Sequence, residues 1–168
     1  EILVNAIDQS VVDPTVNLIT IELNADEGYI SVMNNGKGVP IEIHEQHDMY
    51  IPEMIFGELL TSSNYDDNEE RMTGGRNGYG AKLANVFSSK FEIDIADPSN
   101  KKRYQQIWEN NMSIKHKHKI TKYTKTKGYV EIKFWPDLKR FGMSSFKDDD
   151  IMELFEKRVY DCCATTNE

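Results

Sequence analysis

The run Thr73-Gly74-Gly75-Arg76-Asn77-Gly78-Tyr79-Gly80-Ala81-Lys82-Leu83 constrains the fold more than any other stretch. Four glycines within seven residues permit φ > 0 and close backbone approach, and Ala81, Leu83, Ala84, Val86 and Phe87 then predict a helix opening at the end of the loop. A glycine loop that empties into a helix N-terminus makes an anion site, because free backbone N–H groups and the helix dipole both point at the ligand. Phosphate is the ligand it suits. The spacing is not that of a P-loop, since Ala81 separates Gly80 from Lys82 and Leu83 follows. A dinucleotide fingerprint is also excluded, because the residues before the glycines, 62–71, are polar rather than an apolar strand. They predict a long lid-like loop, for which a flexible surface loop with glycine hinges is the competing reading.

Upstream, Ile2, Leu3, Ala6 and Ile7 share one helical face over residues 1–9, and Glu1, Asn5 and Asp8 share the other. Three oxygen-bearing side chains on one stripe read either as a solvated helix face or as one wall of a site. Residues 17–23 and 29–33 alternate as a strand hairpin around the turn 24–28. Asn34-Asn35-Gly36-Lys37-Gly38-Val39-Pro40 follows as an expected turn whose glycines admit a ligand and whose asparagines both donate and accept. A helix is expected over 50–60, extended antiparallel segments over 91–95, 104–108, 113–120 and 129–134, and a closing helix from Asp148–Asp150. Ile151, Leu154, Phe155, Val159 and Tyr160 are its expected buried face. The class this order predicts is α+β.

Length and composition suit one domain with a real core, at 168 residues, 39% hydrophobic and 29% charged. No apolar run reaches the length of a membrane span, so no membrane partner is expected. The opening Glu1-Ile2-Leu3-Val4 enters in mid-pattern, which predicts a fragment truncated at its N-terminus. A net charge of −8 disfavours broad attraction to nucleic acid, so any DNA contact must be local or made elsewhere. The one concentrated basic patch, Lys115-His116-Lys117-His118-Lys119 with Lys122, Lys125 and Lys127, reads either as a solvated strand edge or as a phosphate-backbone contact. Its alternating histidines lack metal-site spacing, and the adjacent Cys162 and Cys163 offer neither a disulfide framework nor a metal site.

In order, Glu1-x-x-x-Asn5-x-x-Asp8, Asn34-x-Gly36-x-Gly38 and Gly75-x-x-Gly78-x-Gly80-x-Lys82 resemble the three nucleotide-binding boxes of the gyrase, chaperone, histidine-kinase and mismatch-repair (GHKL, or Bergerat-type) ATPase superfamily. Residues 1–6, 34–38, 60–67, 73–82, 136–138 and 158–161 further resemble the N-terminal ATPase domain of the eukaryotic DNA topoisomerase II family, with departures at 9–16 and 96–127. That resemblance implies a two-layer α/β sandwich with a mixed, mainly antiparallel sheet, as a single domain over 1–168 without the transducer domain that follows it in the family.

ATP and Mg²⁺ are the implied cofactors. Glu1 matches the general base that activates water, Asn5 the Mg²⁺ ligand and a nucleotide contact, and Asn34 the reader of the adenine edge. Ser62, Ser63 and Asn64 match lid residues that reach ribose and phosphate. Gly75, Arg76, Asn77, Gly78, Tyr79, Gly80, Ala81 and Lys82 match the loop that wraps the triphosphate. The implied activity is ATP hydrolysis driving passage of one DNA duplex through another in the nucleus. DNA would be held by the full-length enzyme, and the homodimer formed through flanking segments. DNA cleavage lies outside this chain, and neither Tyr65 nor Tyr79 is its nucleophile. A non-hydrolytic nucleotide-binding module and a histidine-kinase catalytic domain are the rivals, and neither needs a base at Glu1.

Overall fold

Period-two burial along β5 (Ser88–Asp97) and β9 (Gly128–Pro136) marks the centre of one seven-stranded sheet in the computed structural model, which describes residues 1–58 and 79–165. Its other strands are β1 (Ile19–Asn24), β2 (Tyr29–Gly36), β6 (Lys102–Glu109), β7 (Ile114–Lys115) and β8 (Lys119–Lys122). The order is β1-β2-β9-β5-β6-β7, with β8 also on β6, and every described pair is antiparallel. A separate two-stranded hairpin joins β3 (Ile43–His44) to β4 (Met49–Tyr50).

One face of the sheet is covered by helices. Val32, Val130, Ile132, Phe91, Ile93, Ile95, Tyr104 and Trp108 from the strands enclose one core with Ile2 and Ala6 of α1 (Ile2–Val12), Phe56 of α2 (Ile51–Gly57) and Ala81 of α3 (Gly80–Val86). The alternate strand positions look outward and are mostly polar, as a half-solvated antiparallel sheet requires. There the Arg103 guanidinium pairs with Asp94, the Tyr129 hydroxyl donates to Asp94 Oδ1 at 2.9 Å, and Lys133 lies 3.5 Å from the centre of the Tyr29 ring. The expected two-layer α/β sandwich with a mainly antiparallel sheet is the observed fold.

Three expectations need correction, and one element is new. Asn34, Asn35 and Gly36 are not a turn; they are the last three residues of β2, paired with Val130, Tyr129 and Gly128. The single strand expected over 113–120 is two short strands that leave β6 and rejoin it. A short 3-10 helix, Leu138–Phe141, precedes the closing helix α4 (Asp149–Thr165). The apolar stripe of α4 is only partly covered, with Ile151, Phe155 and Val159 half-buried. Leu154 is 51% and Tyr160 73% exposed, and the described contact is an edge-on one between the Phe155 and Phe146 rings.

Candidate functional site

α1 is oriented by burial of Ile2 and Ala6 against the sheet, which turns Glu1, Asn5 and Asp8 toward the opposite side. Glu1 is the exposed N-cap residue, Asn5 and Asp8 are half-buried, and the Asn5 N–H donates to the Glu1 carbonyl at 2.9 Å to close the first turn. The Glu1 side chain then reaches the first residue of α3. A Cβ on Gly80 would run into the carboxylate, 3.0 Å from Glu1 Cδ and 3.1 Å from its Cβ. The structure therefore joins the first and third sequence boxes at one point. Gly80 has a helical rather than a left-handed backbone, so its missing side chain, not its φ, is what the site uses.

Behind Gly80, Ala81 points into the apolar core, so any ligand contact at that position is through backbone. Tyr79 is the half-buried N-cap of α3. Lys82 is only 2% exposed; burial pushes its ammonium below the usual lysine range, against a weaker opposing pull from Glu58. A cation kept in so dry a place is costly, and it exerts an undiluted field on any nearby anion. Ser62, Ser63, Asn64, Gly75, Arg76, Asn77 and Gly78 lie outside the described residues.

Asn34 is buried at 6% exposure on the helix side of β2, and its Nδ2 donates to the Asn35 carbonyl at 3.0 Å, leaving its Oδ1 as the acceptor end of the amide. Asn35 does structural work instead. Its Oδ1 accepts from the Asn17 and Leu18 N–H groups at 3.0 Å, and its Nδ2 donates to Asn17 Oδ1 at 2.7 Å, fixing the start of β1.

Sequence reasoning missed two carboxylates that hold the segment after Asn34. Asp13, at the C-cap of α1, accepts from the Thr15 hydroxyl at 2.7 Å and the Thr15 N–H at 3.0 Å through Oδ1, and from the Lys37 N–H at 2.9 Å through Oδ2. Those hydrogen bonds, that of the Thr15 hydroxyl foremost, hold its carboxyl below the usual aspartate range. Gly36, at φ +128°, is glycine because a Cβ would meet Asp13 Oδ2 at 2.9 Å and Val16 Cγ2 at 2.6 Å. On the far side Asp97 accepts from the Ile41 N–H at 2.9 Å and from Asn100. Gly38, at φ +77°, lies against the Ala96 carbonyl. The glycines of the second box thus admit protein neighbours rather than a ligand. The signal for Asp13 was present in Asp13-Pro14-Thr15, an Asx-turn sequence.

Glu1, Asn5, Asn34, Gly80 and Lys82 supply a carboxylate, two neutral amides, a helix start and a dry cation around α1, β2 and α3. The sequence profile of the histidine kinase-, DNA gyrase B- and HSP90-like ATPases matches residues 1–140. The chain belongs to that ATPase family. Within it, the DNA topoisomerase 2 proteins of Candida glabrata and of Saccharomyces cerevisiae are each 56% identical to this chain over 161 residues, 96% of its length. The solved ATPase region of Saccharomyces cerevisiae topoisomerase II superposes with a TM-score of 0.91 at 55% identity, over 96% of this chain and 42% of that one. The ATPase and transducer domains of DNA topoisomerase II from Balamuthia mandrillaris give 0.90 at 44% identity, again over 96% and 42%. The chain spans 11% of the length of the two curated relatives. What it matches is the ATPase region of the topoisomerase II proteins.

Proposed function

We propose that residues 1–168 are a single ATP-binding and ATP-hydrolysing domain of a type IIA DNA topoisomerase, in which nucleotide turnover drives passage of one duplex through another in the nucleus. Dimerisation and DNA cleavage belong to other parts of the full-length enzyme in this reading. The observation that carries it is the Glu1 carboxylate lying against Gly80, at the start of the helix that follows the glycine loop. A nucleotide-binding module that does not hydrolyse has no use for a carboxylate there, nor has a kinase that passes phosphate to a protein side chain.

In the proposed reaction Glu1 takes a proton from a water as the water oxygen bonds to the γ-phosphorus and the bond from that phosphorus to the bridging oxygen of ADP breaks. Asn5, one turn along α1, offers the neutral oxygen that suits a hard cation retaining most of its waters, and this donor set fits Mg²⁺. When bound, Mg²⁺ would neutralise phosphate charge. Asn34 presents its amide to the adenine edge, and Lys82 with the backbone of Tyr79, Gly80 and Ala81 faces the phosphates. Gly75, Arg76, Asn77 and Gly78 complete the wrapping loop, and Ser62, Ser63 and Asn64 reach the ribose and phosphates.

The test is Glu1→Gln, which keeps size and hydrogen bonding and removes the base. Phosphate release should fall by about 10²–10⁴-fold while affinity for a non-hydrolysable ATP analogue stays within a few-fold. Full turnover in the variant would remove Glu1 from the mechanism. Failure of the parent chain to bind the analogue at all would remove the nucleotide.

A further inference from the structure

The cations of this acidic chain fall into two groups. Some have a carboxylate partner: Lys90 has Glu92, Arg103 has Asp94, Arg140 has Asp137, Lys147 has Asp26 and Lys157 has Asp161. Lys115, His116 and His118 of the basic run have carboxylate partners in the same way. Lys115 Nζ reaches Glu53 Oε1 at 2.7 Å and Glu58 Oε1 at 3.2 Å, His116 reaches Glu109 at 2.7 Å, and His118 reaches Glu53 at 3.5 Å. The second half behaves differently. Among the described residues, no carboxylate lies within ion-pair distance of Lys37, Lys101, Lys102, Lys122, Lys125 or Lys127.

The topology gathers these six lysines at one end of the sheet. Lys102 and Lys122 are directly opposed across β6 and β8, an arrangement of like charges that costs stability unless something outside the chain offsets it. The Tyr123 N–H donates to the Lys101 carbonyl at 2.9 Å, which ties the loop after β8 to the β5–β6 turn. The Tyr123 hydroxyl donates to the Lys127 carbonyl at 2.7 Å, and its ring meets Tyr129 edge-on, so the loop carrying Lys125 and Lys127 is braced. Gly128 pairs with Gly36, which brings Lys37 to the same end. Lys37, Lys101, Lys122, Lys125 and Lys127 are exposed, and Lys102 leans on the Ile41 carbonyl at 3.2 Å.

The carboxylates nearest this end are committed elsewhere. Asp13 and Asp97 are buried acceptors of backbone N–H groups, and Asp94 is paired with Arg103. Glu131 accepts from the Ser31 hydroxyl at 3.2 Å. It lies in an open groove between the loop and the outer sheet face, also lined by Met33, Asn35, Tyr123 and Tyr129. A ridge of unpaired lysines on a chain of net charge −8 is a local anion-binding surface by charge complementarity.

We propose that this lysine ridge binds the phosphate backbone of duplex DNA without reading sequence, which gives the ATPase domain a DNA contact of its own. The choice of DNA over other polyanions rests on the topoisomerase reading above. The ridge lies outside the set of residues assigned to the nucleotide, so the two functions are separable. Backbone contacts of this kind make affinity fall with salt, with a slope of about 0.9 per phosphate neutralised.

The experiment measures anisotropy of a short labelled duplex of random sequence against this chain over a salt series, with ATP-analogue affinity determined in the same samples. Combined Lys122→Glu, Lys125→Glu and Lys127→Glu should weaken duplex binding roughly tenfold or more and flatten the salt slope by about 2.7, leaving nucleotide affinity unchanged. The control carries the same charge change elsewhere, as Lys139→Glu, Lys147→Glu and Lys157→Glu, and should lose far less. Should the glutamate triple fold poorly, the glutamine triple at 122, 125 and 127 is read in its place. Equal loss in cluster and control overturns the assignment, as does absence of duplex binding by a parent chain that binds the analogue. Vesicles of phosphatidylserine that compete as well as unlabelled duplex would overturn DNA in favour of an anionic membrane. Loss of analogue binding alone counts against the ATPase reading and leaves the ridge standing.

Discussion

The Glu1 carboxylate occupies the space that a side chain on Gly80 would need. Two residues far apart in sequence are therefore linked by exclusion: the carboxylate stays against the start of α3 only while position 80 has no Cβ. In a helix, Gly→Ala ordinarily adds about 0.5–1 kcal/mol of stability. Gly80→Ala should collect some of that gain, because Glu1 is exposed and its side chain can swing aside. Turnover should fall by roughly 10²-fold, the penalty for displacing a reacting group by about an ångström. Phosphate release and a thermal melt on the same sample check both. A variant as active as the parent would show that the contact has no part in hydrolysis.

Asp13 provides a pH-dependent test of the frame that holds the second box. Its folded carboxyl lies below the ordinary aspartate value of 3.8, so its stabilisation is fully present above that pH and is lost as pH falls through the lower, folded value. Asp97 is also depressed: burial pushes it up, but hydrogen bonds from Ile41, Asn100 and Ser99 outweigh that, and its contribution vanishes in the same direction. Asp13→Asn would turn an amide donor toward the Thr15 or Lys37 N–H, so a loss of about 2 kcal/mol is expected at neutral pH. Urea melts of parent and variant should converge as pH drops below 3.8. A gap that stays constant into acid would show that the charge of Asp13 contributes nothing.

How much of this was legible in the sequence varies with the range of the interaction. The α1 stripe, the β1–β2 hairpin and the start of α3 follow from local periodicity, and they stand where the spacing puts them. Asn34–Gly36 read as a turn because their strand partner, Val130–Gly128, lies far along the chain and leaves no local signature. The glycines were visible but their purpose was not, since Asp13 at Gly36 and Ala96 at Gly38 are tertiary neighbours. Composition shows a basic run, but only the fold divides it into one lysine and two histidines paired with Glu53, Glu58 and Glu109 and lysines left exposed. In α4 the helical period gives the helix, but only Ile151, Phe155 and Val159 of its apolar stripe are half-buried, because periodicity specifies a face and not what covers it.

Gly128 tests whether close backbone approach, rather than conformational freedom, fixes a glycine. A Cβ there would meet the carbonyl oxygens of Ala96, Gly36 and Lys37 at 2.6, 2.8 and 2.9 Å, none of which a side-chain rotation can relieve. Gly128→Ala should cost about 2–3 kcal/mol as an overpacked site that also strains the end of β2 at Gly36 and Lys37. Gly142→Ala is the comparison: its φ of +69° is unfavourable but nothing lies within 4 Å, so only the left-handed penalty of about 1–2 kcal/mol applies. Analogue affinity should fall in the first variant and hold in the second. The reverse order would mean that the sheet end at Gly128 yields easily.

Lys82 allows stability and nucleotide binding to be tested at one position. Burial is the larger influence on its ammonium and lowers its affinity for a proton, so the fold favours the neutral form. The sign follows from proton counting. Between the folded value and the ordinary lysine value of 10.5 the unfolded chain holds more protons, and stability rises with pH across that window as the cost of the buried charge disappears. Lys82→Met, which keeps the apolar stem and removes the charge, should melt at or above the parent temperature at neutral pH, and the difference should close as pH approaches 10.5. A residue kept only for packing would show nothing more. If the charge is held for a triphosphate, the variant should also bind an ATP analogue at least about tenfold more weakly, and saturating analogue should raise its melting temperature less than that of the parent. A variant that is both less stable at neutral pH and unchanged in analogue affinity would place Lys82 in the core alone, and the phosphates would then depend on the glycine loop and its backbone.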